Sequence, residues 1–437
     1  MMALQIAFLI GEHKMGNIIN ITKKFILFLI NLLVLIISLM IPKSDKIAIV
    51  GGWYGKRFAD NSKHFYLYLN ANLNKLGFEK VIWITRLKEI RDQLRHQGYK
   101  VYYVWSIFSI WYHLRAKYHL IDQAPIDINS FFSVRSIRIN LWHGFPLKKI
   151  GCYIGDNKST KKTEIQNLID KWTVRGCWSD QFILATSEFS ADILGKAFGV
   201  DEKKIIISGY PRNYESISDN SIKYVHKNEK NSYEEIKENI REGYKIIGYF
   251  PTFRDKRETL IFGTQNIEEI NQFLDYCESI KIKLIGKFHF VGKNDKFGMV
   301  KSHKTFINLP SEADVYTFLD QLDILITDYS SIYFDFLHWN RPILFFPYDL
   351  EYYRDEDRGL IFDYEEFTPG PKVYSIGELQ TFFLQSIEDI DHRYREEYSD
   401  KAELLKEKIF GDYKKMGIEH LIDKIRNIGL EEEKPLR

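Results

Sequence analysis

Cysteine is scarce: Cys152, Cys177 and Cys277 are the three in a chain of 437 residues. An odd, scattered set excludes a disulfide framework, and the lack of any C-x-x-C pair removes the usual zinc and dithiol motifs. Such sparing thiol use fits a reducing, cytoplasmic setting. Charge of one sign is missing too. The net charge is +2, so charge alone gives no ground for a nucleic-acid partner. Neither a G-x-G-x-x-G turn nor a Walker lysine–serine pair occurs. The nearest approach, VGGWYG over 50–55, reads as a tight turn in which Gly52 and Gly55 supply the backbone conformation. Internal repeats and low-complexity tracts are lacking, apart from a twofold alternation of strand-like and helix-like segments.

At this length one core does not suffice, and two domains of roughly 150–200 residues are expected. A 45% apolar and 27% charged composition is that of a folded protein rather than a disordered one. Aromatic residues at 15% suit surfaces for bases, sugars or lipid head-groups.

There is one long hydrophobic run, FILFLINLLVLIISLMI at 25–41, flanked by Lys23, Lys24 and Lys43. As a helix it reaches about 25 Å, short of a bilayer core of about 30 Å. Three readings compete: a membrane anchor or interfacial helix drawn from residues 18–41, a buried core helix, or a signal sequence. The last is disfavoured because no small-residue cleavage site follows. Lysines on both sides leave the orientation undecided.

From Lys46 onward, short apolar runs alternate with helical patterns. KIAIVGG (46–52), VIWIT (81–85), KVYYVW (100–105), YHLI (118–121), SIRINLW (136–142), QFILATS (181–187) and KIIISGYPR (204–212) are the strand candidates of the first half. A polar stretch, 215–244, reads as a linker with an exposed helix. The alternation then resumes with KIIGYF (245–250), KIKLIGKFHF (281–290), TFINL (305–309), DILIT (323–327) and PILFF (342–346). Helices are expected over 61–75, 188–197, 266–279, 312–321 and from 331, with two or three amphipathic helices from about 376. Strands separated by helices imply an α/β fold with parallel sheets covered on both faces. The expected organisation is an N-terminal segment 1–45, a first Rossmann-like domain 46–214, a linker 215–244, a second such domain 245–390 and C-terminal helices 391–437.

In such sheets ligands bind beyond the carboxyl ends of the strands, where the next helix presents free N–H groups. DILIT-DYSS-IYFDF is a strand, a turn and a helix. It places Ser330 and Ser331 where an anion would sit, and Asp335 one turn further on for a ribose or polyol hydroxyl. Alone, Ser330 reads equally as a helix cap. Other strand ends add cationic groups: Thr252 and Arg254 in YFPTFRD, Lys287 and His289 in KIKLIGKFHF, Arg212 in SGYPRNY and His143 in LWHGFPLKK. In WHGFP the Gly and Pro force a sharp exit that exposes the imidazole. A single histidine at such a place is most often structural; the convergence of these motifs is what points to anion chemistry. The EDR triplet at 356–358 reads as a solvated loop. Lysines 148, 149, 158, 161 and 162 suit either an anionic membrane or acceptor, or plain solvent.

Taken in order, WHGFPLKKIG, GYPRN, PTFRD, K-F-H, TDYSSIYFDF, RPILFFPYDLEYYRDEDRG and PGPKV resemble the CDP-glycerol:poly(glycerophosphate) glycerophosphotransferases, over about residues 50–390. The resemblance implies a GT-B architecture of two Rossmann-like domains facing a cleft, without a catalytic metal or other cofactor. It implies a CDP-polyol donor and a polyprenyl-diphosphate-linked saccharide or polyol-phosphate polymer as acceptor. Attachment to the cytoplasmic face of the membrane would follow. His143 would be the general base, with His289 and Arg212 offsetting charge on the transferring phosphoryl group. Gly144, Phe145, Pro146 and Leu147 would face the cleft. Pro251, Thr252, Arg254, Lys287, Phe288, Ser330, Ser331 and Asp335 would hold the donor. Phe145 stands where the family usually has Thr, Tyr214 where it has Asp, and Phe290 where Pro is frequent. These departures bear on which polyol and acceptor are used. Transfer of glycerol phosphate with release of CMP is the leading expectation. CDP-ribitol or another CDP-alcohol, a nucleotide-sugar glycosyltransferase and an inactive scaffold are the alternatives.

Overall fold

A computed structural model describes residues 28–154, 181–214, 227–287, 302–387 and 389–431. Twelve strands fall into two sheets among these residues. The first holds β1 (Ser44–Val50), β2 (Lys80–Thr85), β3 (Val101–Tyr103), β4 (Ala116–Ile121), β5 (Ile137–Asn140), β6 (Phe182–Ala185) and β7 (Ile205–Ile207) in the order β3-β2-β1-β4-β5-β6-β7. The second holds β8 (Lys245–Phe250), β9 (Ile282–Gly286), β10 (Phe306–Asn308), β11 (Ile324–Thr327) and β12 (Ile343–Phe345) in the order β10-β9-β8-β11-β12. Neighbouring strands pair in parallel throughout.

Alternation along the strands explains why both faces are covered. In β1, Ile47 and Ile49 join one buried cluster with Ile82, Ile84 and Ile121, while Ala48 and Val50 join another with Val81, Trp83 and Leu120. Side chains of a strand point alternately to opposite faces, so a strand apolar at every position must be sandwiched. Helices Asp60–Ala71, Glu188–Phe198 and Ile267–Ser279 supply part of that covering.

The strand order fixes where a ligand can lie. Chain direction across the sheet reverses between β1 and β4 in the first sheet and between β8 and β11 in the second. The crevice at such a switch point is the general binding place of open parallel sheets. The loops after β1, β5 and β7 and those after β8 and β11 carry motifs singled out above.

The terminal helices, Ile390–Phe410 and Tyr413–Glu431, return to the first sheet. Thr186 donates to the Ile409 carbonyl at 2.6 Å, Lys117 to the Gly429 carbonyl at 2.7 Å and Tyr68 to Glu419 at 2.6 Å. Gly429 lies so close to the Tyr118 hydroxyl that a Cβ there would meet it at 2.2 Å.

Four expectations need correction. The helix Lys227–Arg241 is not an exposed linker helix: Tyr233 and Ile236 are buried, because the polar stretch hides a single apolar stripe. Residues 312–321 form two short 3-10 turns, Val315–Thr317 and Leu319–Gln321, rather than one helix. The helix after Ser331 is only Ile332–Phe336, continued by a 3-10 turn, so its dipole is weaker than the sequence suggested. Of the apolar N-terminal run, residues 28–39 are helical and residues 18–27 lie outside the described residues; no helix of the described residues is long and apolar enough to cross a membrane. This helix is no buried core element either. It turns Asn31, Val34 and Ser38 inward and leaves Leu29, Leu33, Ile36 and Leu39 exposed.

Candidate active site

His143 follows β5 on a turn whose shape the sequence only half suggested. The turning residue is Trp142, with φ 53°, followed by Gly144 at φ 143°. A left-handed tryptophan is strained and needs support from its surroundings. Asn140 Oδ1 accepts from the Trp142 N–H at 2.9 Å, and Asn61 Nδ2 donates to the carbonyls of Leu141 and Trp142. The His143 ring packs on Trp142, with centroids 3.9 Å apart, and its Nδ1 lies 3.1 Å from the Asp122 carbonyl. That carbonyl can only accept, so Nδ1 carries the proton and Nε2 keeps its lone pair. Burial, reinforced by Arg212 and Lys148 and opposed by the Asp122 carbonyl, holds the imidazole down at about 4. It is therefore a neutral, proton-accepting ring at neutral pH.

The segment after His143 is stitched to the second half of the chain. Lys149 N–H donates to Gly359, Ile361 N–H donates to Leu147, and Lys148 pairs with Leu360. Phe145 packs edge-on against Phe334 with centroids 5.1 Å apart and stacks on Phe189 and Phe362. The side chains of Phe145 and Leu147 are thus core, and Pro146 is buried beside them. A Cβ on Gly144 would meet Ser331 Oγ at 3.1 Å and Arg212 Nη2 at 3.6 Å. The histidine turn and the serine turn are therefore adjacent across the seam. Ser330 and Ser331 are both partly exposed, and Ser330 Oγ receives only a long contact, 3.4 Å, from the Ile332 N–H.

Two residues expected to touch substrate turn out to be committed elsewhere. Arg254 is fully buried; it makes a two-point contact with Asp349, pairs with Asp328 and lies among the rings of Tyr329, Tyr348 and Tyr353. Asp335 is equally buried and is gripped at two points by Arg212, at 3.0 and 2.8 Å. Arg212 does reach across, as expected. It is paired, however, with Asp335 and with Asp60 of the first half, and its Cζ lies 3.9 Å from the centre of the Tyr316 ring. An arginine so paired ties the two halves together.

Pro251 and Thr252 follow β8 at the switch point of the second sheet, and Lys287 follows the neighbouring β9. Thr252 donates its N–H to Asp328 at 2.7 Å and has its hydroxyl buried, next to partly exposed Pro251. Lys287 reaches the Ala313 carbonyl, and burial together with Arg57 lowers its ammonium to about 7. Phe288 and His289 lie outside the described residues.

Sequence reasoning missed the polar start of the helix Asp60–Ala71. Lys63 and His64 converge on Asp314 at 3.1 and 3.4 Å, all three fully buried, and Asp314 takes the Asp60 N–H. Its own N–H goes to Glu229. The run DNSKH reads as a solvated first turn, and nothing local marks its partner 250 residues away. Lys148 was noted only as one of a basic cluster. Burial pulls it to about 8, beside Arg358 and Asp328.

The profile of the CDP-Glycerol:Poly(glycerophosphate) glycerophosphotransferases matches residues 33–410. The chain belongs to that family. This glycerophosphotransferase is 31% identical over 359 residues to the teichoic acid glycerol-phosphate transferase of Staphylococcus aureus, covering 79% of this chain and 84% of that one. It is 29% identical to the teichoic acid poly(glycerol phosphate) polymerase of Bacillus spizizenii, covering 76% and 81%. The solved wall teichoic acid polymerase TagF superposes with a TM-score of 0.66 at 20% identity, over 96% of this chain and 97% of that one, a likeness of fold. The glycerophosphotransferase is thus a transferase with the parallel α/β architecture expected of it.

Proposed function

We propose that this enzyme transfers glycerol phosphate from CDP-glycerol to a hydroxyl of a lipid-linked or polymeric acceptor, releasing CMP, in the building of a teichoic-acid or capsule-like polymer. The observation that carries this reading is the approach of Gly144 to Ser331, which sets the imidazole turn of one sheet against the serine turn of the other.

In this reading the donor diphosphate lies along the switch point of the second sheet, against Ser330, Ser331 and the Thr252 hydroxyl. Lys287 and Lys148 supply cationic groups there. His143 Nε2 takes the acceptor's proton as the acceptor oxygen attacks the phosphorus that bears glycerol. The bond to the CMP oxygen breaks and CMP leaves with its electron pair. Positioning and electrostatics dominate such transfers. With Arg212 and Arg254 bound internally, charge on the phosphoryl group falls to the lysines, the hydroxyls and His289. The test is incubation with CDP-glycerol, CDP-ribitol and nucleotide sugars together with a lipid-linked acceptor. CMP release with CDP-glycerol above all other donors is expected. Release of a nucleoside diphosphate from a sugar donor instead would overturn the assignment.

An acceptor carried on a lipid requires the enzyme at a membrane surface. The helix over 28–39 packs through Val34 on Leu114 of the helix Ile107–Arg115, and both leave large apolar side chains in solvent. Leu33 is 58%, Ile107 83% and Phe108 62% exposed, large apolar side chains of the kind an interfacial helix turns toward lipid. We assign this pair of helices to shallow insertion at the cytoplasmic face. Replacing Leu33 and Phe108 together by Glu is expected to release the enzyme from anionic vesicles in a flotation assay. Transfer to a short water-soluble acceptor should be unaffected. Undiminished flotation would contradict this assignment.

A further inference from the structure

The loop after β4 contains a carboxylate that the proposed reaction does not use. Asp127 is fully buried, and its Oδ2 accepts from the backbone N–H groups of Gln123 at 2.7 Å and of Asp122 and Ala124 at 3.1 Å. Its Oδ1 accepts from the Tyr54 N–H at 2.7 Å. The peptide unit joining Asp122 to Gln123 therefore has its N–H on Asp127 and its C=O on His143 Nδ1. We infer that Asp127 is a positioning residue that acts on His143 through this one peptide group. The arrangement is a carboxylate–histidine pair with an amide inserted between the two.

The physics is that of a polarised hydrogen-bond chain. A carboxylate pulling on the N–H shifts electron density toward the carbonyl oxygen, which strengthens its bond to Nδ1–H. The effect grows when Nε2 takes the acceptor's proton and the ring becomes cationic, so the carboxylate stabilises the charged form more than the neutral one. The same contact fixes the tautomer and the ring orientation, the usual task of a group behind a reacting histidine.

The glycines of VGGWYG, left above as a tight turn, belong to this device. Gly52 has φ −153°, so space rather than conformation requires glycine: a Cβ would meet the Asp122 carboxylate at 2.5 Å. A Cβ on Gly51 would meet the Asp127 carbonyl at 2.6 Å. Only Gly55, at φ +71°, is needed for its backbone shape. The glycine pair lets the 51–54 loop settle on the 122–127 loop and deliver the N–H groups of Trp53 and Tyr54 to Asp122 and Asp127. Burial raises Asp127 to about 6 against the pull of its four N–H partners, which leaves it ionised at neutral pH. The other charged or titratable groups around the chain are Asp122, Asp60 and Tyr54 on the carboxylate side, Arg57 and Arg86 on the neighbouring loops, and Arg212 and Lys148 facing the ring.

This inference rests on His143 being the base, and the experiment separates the two. For Asp127→Asn the expected result is a fall in kcat of about 10-fold, the scale of one charge-assisted hydrogen bond, with KM for CDP-glycerol unchanged. The His143 Nδ1–H proton resonance should move upfield. In the unaltered enzyme that resonance should also move upfield as pH falls through the Asp127 titration near 6, while the ring itself is still neutral, so a variant that fails to fold does not end the test. A resonance that stays fixed across that titration, or a folded Asp127→Asn enzyme with kcat and resonance unchanged, overturns the relay. Full activity in His143→Gln would remove the base assignment, while the resonance would still report on Asp127.

Discussion

Replacing His143 by Ala is expected to lower CMP release from CDP-glycerol by about 10²–10⁴-fold, the contribution of a positioned general base. The loss should fall on kcat. The imidazole stands beside the seam in a fixed tautomer, with Nδ1 engaged by the Asp122 carbonyl and Nε2 left to accept a proton. The segment after it is held by backbone hydrogen bonds to Gly359 and Ile361 that the substitution leaves in place. CDP-glycerol should therefore still bind, and thermal stability should change little. The pH dependence has a defined sign. Because burial lowers the ring to about 4, the base stays competent well below pH 6.5, and an acid-side loss of activity between pH 7 and 5 has to come from another group. Asp127, raised to about 6, is that group in the scheme above.

The second large effect concerns stability. Arg212→Met is expected to destabilise the protein by about 3–5 kcal/mol, since it strands Asp60 and Asp335, both fully buried, without their shared cation. Asp60 also sits at φ +67°, a strained conformation for aspartate that its contacts to Arg212 and Asp314 maintain. Urea or thermal unfolding measures the loss. Arg212→Met with Asp335→Leu and Asp60→Asn should recover part of it, because breaking one side of a buried pair costs more than removing the whole. If Arg212 instead contacts phosphate and ties nothing together, the single substitution would reduce activity and leave the unfolding midpoint where it was.

The strands were legible because most are short, largely apolar runs, a pattern that a sheet covered on both faces favours, as in IAIV of β1 and ILIT of β11. The strand-end motifs were legible as places. Their partners were not. Arg212 and Arg254 read as solvent-facing anion ligands, and Asp335 as a ligand for a polyol hydroxyl, because a sequence shows a charge without the opposite charge that neutralises it, and those opposites lie from 74 to 152 residues away. The turn at His143 was credited to Gly144 and Pro146, whereas Trp142 makes it, which only the support from Asn61 and Asn140 permits. Asp127 left no trace in the sequence, because its partners are four backbone N–H groups rather than side chains.

The most direct measurement is a structure of the His143→Ala enzyme with CDP-glycerol bound. The account predicts the diphosphate against Ser330, Ser331 and Thr252, with the glycerol-bearing phosphorus turned toward position 143 across the seam. A donor bound with its phosphates away from the serine turn, or with that phosphorus facing away from residue 143, would contradict it.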